Sequence, residues 1–430
     1  MESGATAQMP GTGVLSAPAP ESHLMNTYRP PPQVFVRGRG CYLYDADGGR
    51  YLDFISGIGV NALGYAHPRL LRVMRQQAGR AVHVSNLYRH PFQEPLAAKL
   101  AAWTGLDRVF FCNSGSEAVE GALKLARARA HQRGEGKYRI LALENSFHGR
   151  TFGALSITAT QAYREPFEPL VPGVDFVRFD DVADLEAKFG DDVCAVVLES
   201  IQGEGGIHAL SEAFWNRARE LATRHGAALV ADEIQAGMGR TGRFFAFQRF
   251  DARPDIVTIA KPLAGGLPLG AFAASEEVAS ALTPGMHGST FGGGPLTCAT
   301  ALEFIATVEE ENLLENVRRR GAQIQEGLRA LATRAGFVRE VRGEGLMLGM
   351  ELEIEGGPFV DRARERGLLI NCTHNQVLRF LPPFILEEKH VAEFLKKMKR
   401  VLVWKPKRGA GRQSASPTGP AATPGEERLK

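Results

Sequence analysis

Two short apolar runs, 227–231 and 256–260, constrain this chain more than any other feature. Each is rich in Val, Ile, Leu and Ala, is too short for a helix, and reads as a strand buried on both faces of a parallel sheet. The first runs into Asp232 and Glu233, the second into Lys261. Charges at the carboxyl ends of buried parallel strands stand where open α/β sheets place their ligands.

Lys261 is followed by PLAGGLPLGAF, whose prolines and paired glycines enforce a loop rather than a solvated helix face. A lysine in a partly buried mouth is costly as an ammonium, so its pKa falls and its neutral amine becomes a nucleophile toward an aldehyde. If that aldehyde is pyridoxal phosphate, an acid is also needed opposite the pyridine nitrogen, and Asp232 is the candidate. The competing reading is an ordinary ion pair between Lys261 and a neighbouring carboxylate.

Further strand-like runs at 109–112, 139–143, 174–179 and 193–199 alternate with helical segments, the pattern of a mostly parallel sheet with helices on both faces. The first enters Asn113-Ser114-Gly115-Ser116 and then an amphipathic helix. Ser114 with Glu117 fits a capping box, and a strand, a small-residue turn and a helix N-terminus together form an anion site. Many serine caps bind nothing, and the signal gains weight only beside the lysine. In NSFHGRT, Phe147 suits stacking on a planar ring and Arg150 suits a bidentate grip on a carboxylate. Glu199 ends the strand AVVLES beside the flexible QGEGG. The Gly-rich stretch 287–296, with Ser289 and Thr290, reads either as a phosphate cradle or as a tight connection. Arg379, inside the apolar run VLRFLPP, has to be paired or to touch a ligand. Tyr28, in the Pro-stiffened NTYRPPP, reads equally as a pocket aromatic or a packing one.

The 430 residues, 44% hydrophobic and 23% charged, suit a large soluble globular core, and a formal charge of +3 selects no class of partner. The N-terminus lacks the basic and apolar segments of a secretory signal and has no arginine to suggest a transit peptide. Five scattered cysteines without a CxxC favour reduced thiols in a cytoplasm over disulfides or a metal site. Segments 1–24 and 405–430 read as disordered tails, the second basic and more plausibly solubilising than nucleic-acid-binding. Between them, 25–80 reads as an N-terminal segment with a hairpin turning at 47–49. A large domain over 81–305 and a smaller α+β domain over 306–404 complete the expected organisation.

Taken together the chain resembles the class III (subgroup II) pyridoxal-phosphate-dependent aminotransferases over about residues 25–403. The motifs are NTYRPPP, LDFISGIGVNALG, HVSNLY, NSGSEAVEGALKLAR, SFHGRT, QGEGG, ADEIQAGMGRTG, AKPLAGGLPLGA, HGSTFGG and LLIN…LRFLPP. The resemblance implies fold type I, with a seven-stranded mostly parallel sheet, and a homodimer with shared active sites. It implies that Lys261 carries the cofactor and moves the proton, that Asp232 pairs with the ring nitrogen, and that Gln235 bonds the ring hydroxyl. Phe147 and Ile234 would sandwich the ring. Ser114, Gly115 and Ser116 would hold the phosphate, with Thr290 reaching in from the partner subunit. On the substrate side, Arg150 and Tyr28 would take the amino donor's α-carboxylate, with Ser289 nearby. Arg379 would take that of 2-oxoglutarate, and Glu199 would neutralise Arg379 while the other substrate is bound.

HVSNLY and LLIN…VLRFLPP tilt the expected reaction toward N2-acetyl-L-ornithine plus 2-oxoglutarate giving N-acetyl-L-glutamate 5-semialdehyde plus L-glutamate, a step of arginine biosynthesis. The rivals are ornithine, 4-aminobutyrate, succinylornithine or succinyldiaminopimelate as donor, and then an aminomutase or racemase. Four positions depart from the family pattern: Gly294 for Asn, Ser200 for Pro, Tyr65 for His, and Pro262 directly after the lysine.

Overall fold

A computed structural model describes residues 23–403. The tail expectations for 1–24 and 405–430 therefore lie, but for residues 23 and 24, outside the described residues. The centre is a seven-stranded sheet. Its strands in chain order are β1 (Arg108–Cys112), β2 (Arg139–Leu143), β3 (Val174–Val177), β4 (Val193–Leu198), β5 (Ala228–Asp232), β6 (Ile256–Ile259) and β7 (Gly270–Ala274). Their order across the sheet is β1-β7-β6-β5-β4-β2-β3. Only β7 runs against its neighbours, β6 and β1; β6-β5-β4-β2-β3 are parallel throughout. The central strands β4, β5 and β6 are buried at every residue, which is why their sequences read as unbroken apolar runs.

The helix α1 (Gly115–Gln132) leaves β1 and buries Ala118, Val119, Ala122, Leu123 and Ala126 against the sheet. Small residues let it lie close: a side chain at Gly121 would stand 2.2 Å from the Phe272 ring. A second sheet, of four antiparallel strands, is built from Val338–Glu344, Met347–Leu352, Val377–Phe380 and Asn371–Thr373. It packs with the helices Leu313–Ala335 and Glu388–Leu402. The N-terminal meander Phe35–Arg39, Tyr42–Asp45 and Arg50–Asp53 gains a fourth, parallel strand at Leu368–Leu369, tying the start of the chain to its last quarter.

The LLIN run over 368–371 is divided between two strands. Leu368–Leu369 pairs with the meander and Asn371–Thr373 with Val377–Phe380, so two sheets meet around Ile370. Three of the unusual positions have local explanations. The Tyr65 hydroxyl donates to buried Asp53, and the Ser200 hydroxyl to Glu233 at 2.8 Å. Pro262 occupies the first turn of a short 3-10 helix, where its fixed φ fits and no N–H is needed.

Gly321, inside the helix Leu313–Ala335, allows the closest approach between that helix and the turn after Glu344. An added Cβ would meet the Gly345 carbonyl oxygen at 2.1 Å. In an exposed helix, replacing Gly by Ala stabilises by about 1 kcal/mol. Here Gly321→Ala is expected to destabilise instead, by about 1–3 kcal/mol of overpacking, as a drop in the thermal unfolding midpoint. A raised midpoint would show that the helix moves away at no cost.

Candidate active site

The carboxyl ends of the parallel strands deliver their following residues to one cavity of about 320 Å³. After β1 come Ser114, Gly115 and Ser116, after β2 Phe147 and His148, after β4 Glu199, after β5 Asp232, Ile234 and Gln235, and after β6 Lys261. Nine of the residues expected from sequence therefore line a single site.

Ser114 caps α1 with its hydroxyl accepting from the Glu117 N–H at 3.2 Å. The Glu117 carboxylate reaches back one residue further than a standard capping box, to the Asn113 N–H at 2.7 Å. Ser114, Gly115 and Ser116, at the start of this 18-residue helix, line the cavity, and a helix N-terminus leaves first-turn N–H groups without intrahelical partners, the requirement for receiving an anion. Gly115 is needed for packing, because a Cβ there would stand 2.9 Å from Ile234.

Asp232 is 4% exposed and held by three hydrogen bonds. Its Oδ2 lies 2.6 Å from His148 Nδ1, and its Oδ1 accepts from the Ile234 N–H at 3.0 Å and from the Thr258 hydroxyl at 3.2 Å. Burial alone would lower the His148 pKa, but the Asp232 bond and charge outweigh it and raise it. The other ring nitrogen, Nε2, is buried without a partner among the described residues. Lys261 is partly accessible from the cavity it lines. Burial holds its pKa below the ordinary lysine value, against the pull of Asp232 and Glu204. It also takes a left-handed φ of +45°, a strained conformation for a residue with a Cβ, of the kind that persists where surroundings over-determine it.

The structure corrects one expected partnership. Arg379, 1% exposed, is held by Glu204 rather than Glu199: Nη1 lies 2.6 Å from Glu204 Oε1. Glu199 stays at the strand end, where its carboxylate turns inward to accept from the Phe147 N–H and the Gly203 N–H, both at 3.0 Å. The small hairpin Ile201–Gln202/His208–Ala209 then carries Glu204 out over Arg379. Gln235, expected on a ring hydroxyl, accepts from Arg379 Nη1 at 2.9 Å and so joins that arginine to the cavity wall. The remaining expected residues lie outside the lining. Tyr28 is 84% exposed, and Thr290 is exposed. Ser289 contacts the Asn113 amide at 3.4 Å, next to the anion cradle. Arg150 lies over the rings of Tyr163 at 3.6 Å and Phe147 at 5.7 Å.

Sequence reasoning assigned no role to His148, Glu204 or Thr258. His148 sits in the SFHGRT motif, and Glu204 is the acid inside QGEGG, so both carried a signal. Thr258 carried none, being one hydroxyl in an apolar strand.

An amine whose ammonium form burial disfavours, a buried carboxylate and a helix start thus meet in one cavity at the strand ends of an α/β sheet, a donor set that suits pyridoxal phosphate. Comparison with known proteins gives the family. The model of the family described as aminotransferase class-III matches residues 24–402. The acetylornithine aminotransferase of Aquifex aeolicus (strain VF5) is 46% identical over 89% of this chain and 100% of that protein. The crystal structure of the ornithine aminotransferase from Toxoplasma gondii ME49 aligns with a TM-score of 0.85 at 32% identity, covering 89% of this chain and 92% of that one. That of the N-acetylornithine aminotransferase from Stenotrophomonas maltophilia K279a gives a TM-score of 0.77 at 36% identity, over 87% and 96%. The chain belongs to the class-III aminotransferases. It is an aminotransferase that works with pyridoxal phosphate, and the donor set fits that cofactor: an amine for the aldehyde, a carboxylate for the ring nitrogen, and free helix N–H groups for the phosphate.

The buried carboxyl of Glu199 is pushed up to about 7, chiefly by desolvation. A folded pKa above the unfolded value of about 4.3 means that folding favours the protonated form. The stability it contributes is present below pH ~4.3 and is lost as pH rises toward 7. In cofactor-free protein, Glu199→Gln is therefore expected to gain stability relative to the parent as pH is raised from 5 to 8, measured by urea unfolding. A pH-independent difference between the two would show that Glu199 ionises normally.

Proposed function

We propose that this enzyme transfers the side-chain amino group of N-acetylornithine to 2-oxoglutarate, giving N-acetylglutamate 5-semialdehyde and glutamate, as a homodimer of the cytoplasm. The observation that carries the reading is the buried Arg379 with its removable partner Glu204, beside the Lys261–Asp232 cavity. Two substrates must use one site in turn. One is a 2-oxo diacid, and the other presents a neutral acetamido group with its carboxylate at the far end of the chain.

Pyridoxal phosphate supplies the aldehyde that takes up the amine and an electron sink for the carbanion. The protein supplies the rest. Asp232, fixed by His148, Thr258 and the Ile234 N–H, would pair its carboxylate with the ring nitrogen. Ser114, Gly115 and Ser116 would hold the phosphate at the start of α1, and Phe147 and Ile234, which line the same cavity, would enclose the ring. Lys261, whose ammonium form burial disfavours, would take a proton from the carbon bearing the reacting amine and return one to complete the transfer. Arg150, at the mouth, grips the donor's carboxylate, with Tyr28 and Ser289 toward the same side. Arg379 stays neutralised by Glu204 while the donor is bound, and releases it to grip 2-oxoglutarate.

The dimer is supported by exposed apolar side chains near the Gly-rich stretch, Leu87, Tyr88, Met286 and Phe291, and by Thr290, which is exposed and outside the lining of its own cavity, as suits a residue that would serve a partner's phosphate. Five free cysteines support a reducing compartment. An isomerase on the same scaffold is the second reading, and a separate arginine for a diacid acceptor counts against it.

Single-turnover absorbance of the cofactor tests the assignment. N-acetylornithine is expected to bleach the lysine-bound cofactor band faster than ornithine or 4-aminobutyrate, and Lys261→Ala to lack both band and turnover. Preferential bleaching by one of the other donors would move the enzyme to a sister specificity. Arg379→Ala is expected to raise the KM for 2-oxoglutarate by roughly 10- to 100-fold, the worth of a charged hydrogen-bonded contact, with a far smaller effect on the donor half-reaction. Equal losses in both halves would rule out the division of labour between the two arginines.

A further inference from the structure

Arg150 differs from most arginines of this fold in how it is held. Among the described residues its guanidinium makes no ion pair and no side-chain hydrogen bond; only its backbone N–H donates, to Ser116 Oγ at 3.3 Å. What holds it is aromatic. Its guanidinium carbon lies 3.6 Å from the centre of the Tyr163 ring and 5.7 Å from that of Phe147, which lines the cavity. Tyr163 stands on a short helix, Gln161–Arg164, fixed from below by Arg164 over the Phe176 ring at 4.6 Å. At 38% exposure, Tyr163 is not a core residue. Its hydroxyl makes no hydrogen bond among the described residues.

We infer that Tyr163 is a positioning residue for the amino donor: its ring face holds the Arg150 guanidinium in the plane that receives the donor's carboxylate. A guanidinium presents its N–H donors at its edge and its attraction to a ring at its face. Stacking therefore orients Arg150 without using any donor. A carboxylate in the place of Tyr163 would orient it equally well but would compete with the substrate. The arrangement also leaves the cation beside water, where it needs no counter-ion between turnovers. Arg379 is the opposite case, buried and neutralised by Glu204. The inference rests on the proposed reading of Arg150 as the donor clamp.

Steady-state kinetics on the holoenzyme separate the two levels, with N-acetylornithine and 2-oxoglutarate as substrates and N-acetyl-1,4-diaminobutane as a donor lacking the carboxylate. Tyr163→Ala is expected to raise the KM for N-acetylornithine roughly fivefold, the size of an exposed cation–π contact, with kcat and the KM for 2-oxoglutarate held. Tyr163→Phe, which keeps the ring face, is expected to behave as the parent. With N-acetyl-1,4-diaminobutane, kcat/KM is expected to be the same for the parent and Tyr163→Ala. The inference is overturned if Tyr163→Ala leaves the donor KM unchanged, if Phe fails as badly as Ala, or if the carboxylate-free donor loses as much. Arg150→Ala tests the reading beneath it. An unchanged donor KM there would remove Arg150 as the clamp, whereas a raised KM in Arg150→Ala with none in Tyr163→Ala would fault the stacking alone.

Discussion

The buried charges at the strand ends are the constraint on which the rest of the structure depends. Asp232, Glu199 and Arg379 are each at most 5% exposed, with His148 buried against Asp232. Moving an ion out of water costs on the order of several kcal/mol, recovered only where geometry and hydrogen bonds are complete. Asp232 meets that demand with three donors and Arg379 with Glu204, Gln235 and Asn371. Glu199 has two backbone donors and meets the remaining cost by favouring its protonated form. The Ile234 and Gly203 amides are local, but His148, Thr258, the Phe147 N–H, Glu204 and Gln235 are all distant in sequence, so the cluster is complete only when the strands stand in their final order.

That order in turn demands small residues where backbones cross. Gly270 opens β7 directly against the Ser114 carbonyl, which an added Cβ would approach to 2.4 Å. Gly115 gives way to Ile234. The loop after Lys261 ends on Gly265 at φ +58°, where an added Cβ would also run into Leu70. The glycines around the site are thus packing requirements as much as flexible joints, and they fix the cradle, the ring slot and the lysine relative to one another.

How much of this the sequence disclosed follows from the range of each interaction. The strands β4, β5 and β6 were legible because burial on both faces writes continuous apolar runs, and the charges that closed them marked the site. The capping serine was legible because its partner lies three residues on. The partner of Arg379 was not: Glu199 and Glu204 both follow the same strand, and only the hairpin at 201–209, a tertiary turn, decides which of them faces the arginine. The divided strand at 368–373 escaped for the same reason, since both halves are apolar and only their separate partners distinguish them. Tyr163 gave no signal, because a ring that serves as a support has the same local pattern as one that merely packs.

In the proposed reaction the two arginines would let one site handle two acids by opposite means. Arg379 is enclosed, and an enclosed cation requires a counter-ion at every stage of turnover. Glu204 can provide that and still leave, because it is 34% exposed on its side chain and sits on a turn flanked by Gly203, Gly205 and Gly206, the last at φ +108°. Glu199, locked to two backbone amides within the core, could not move without leaving a buried carboxylate unsatisfied. Arg150, half in water and supported by a ring face, requires no such exchange. In the proposed reaction the acceptor's acid therefore displaces an ion and the donor's displaces only solvent. The choice between substrates thereby rests on whether Glu204 is in place, and the sheet beneath it can remain rigid.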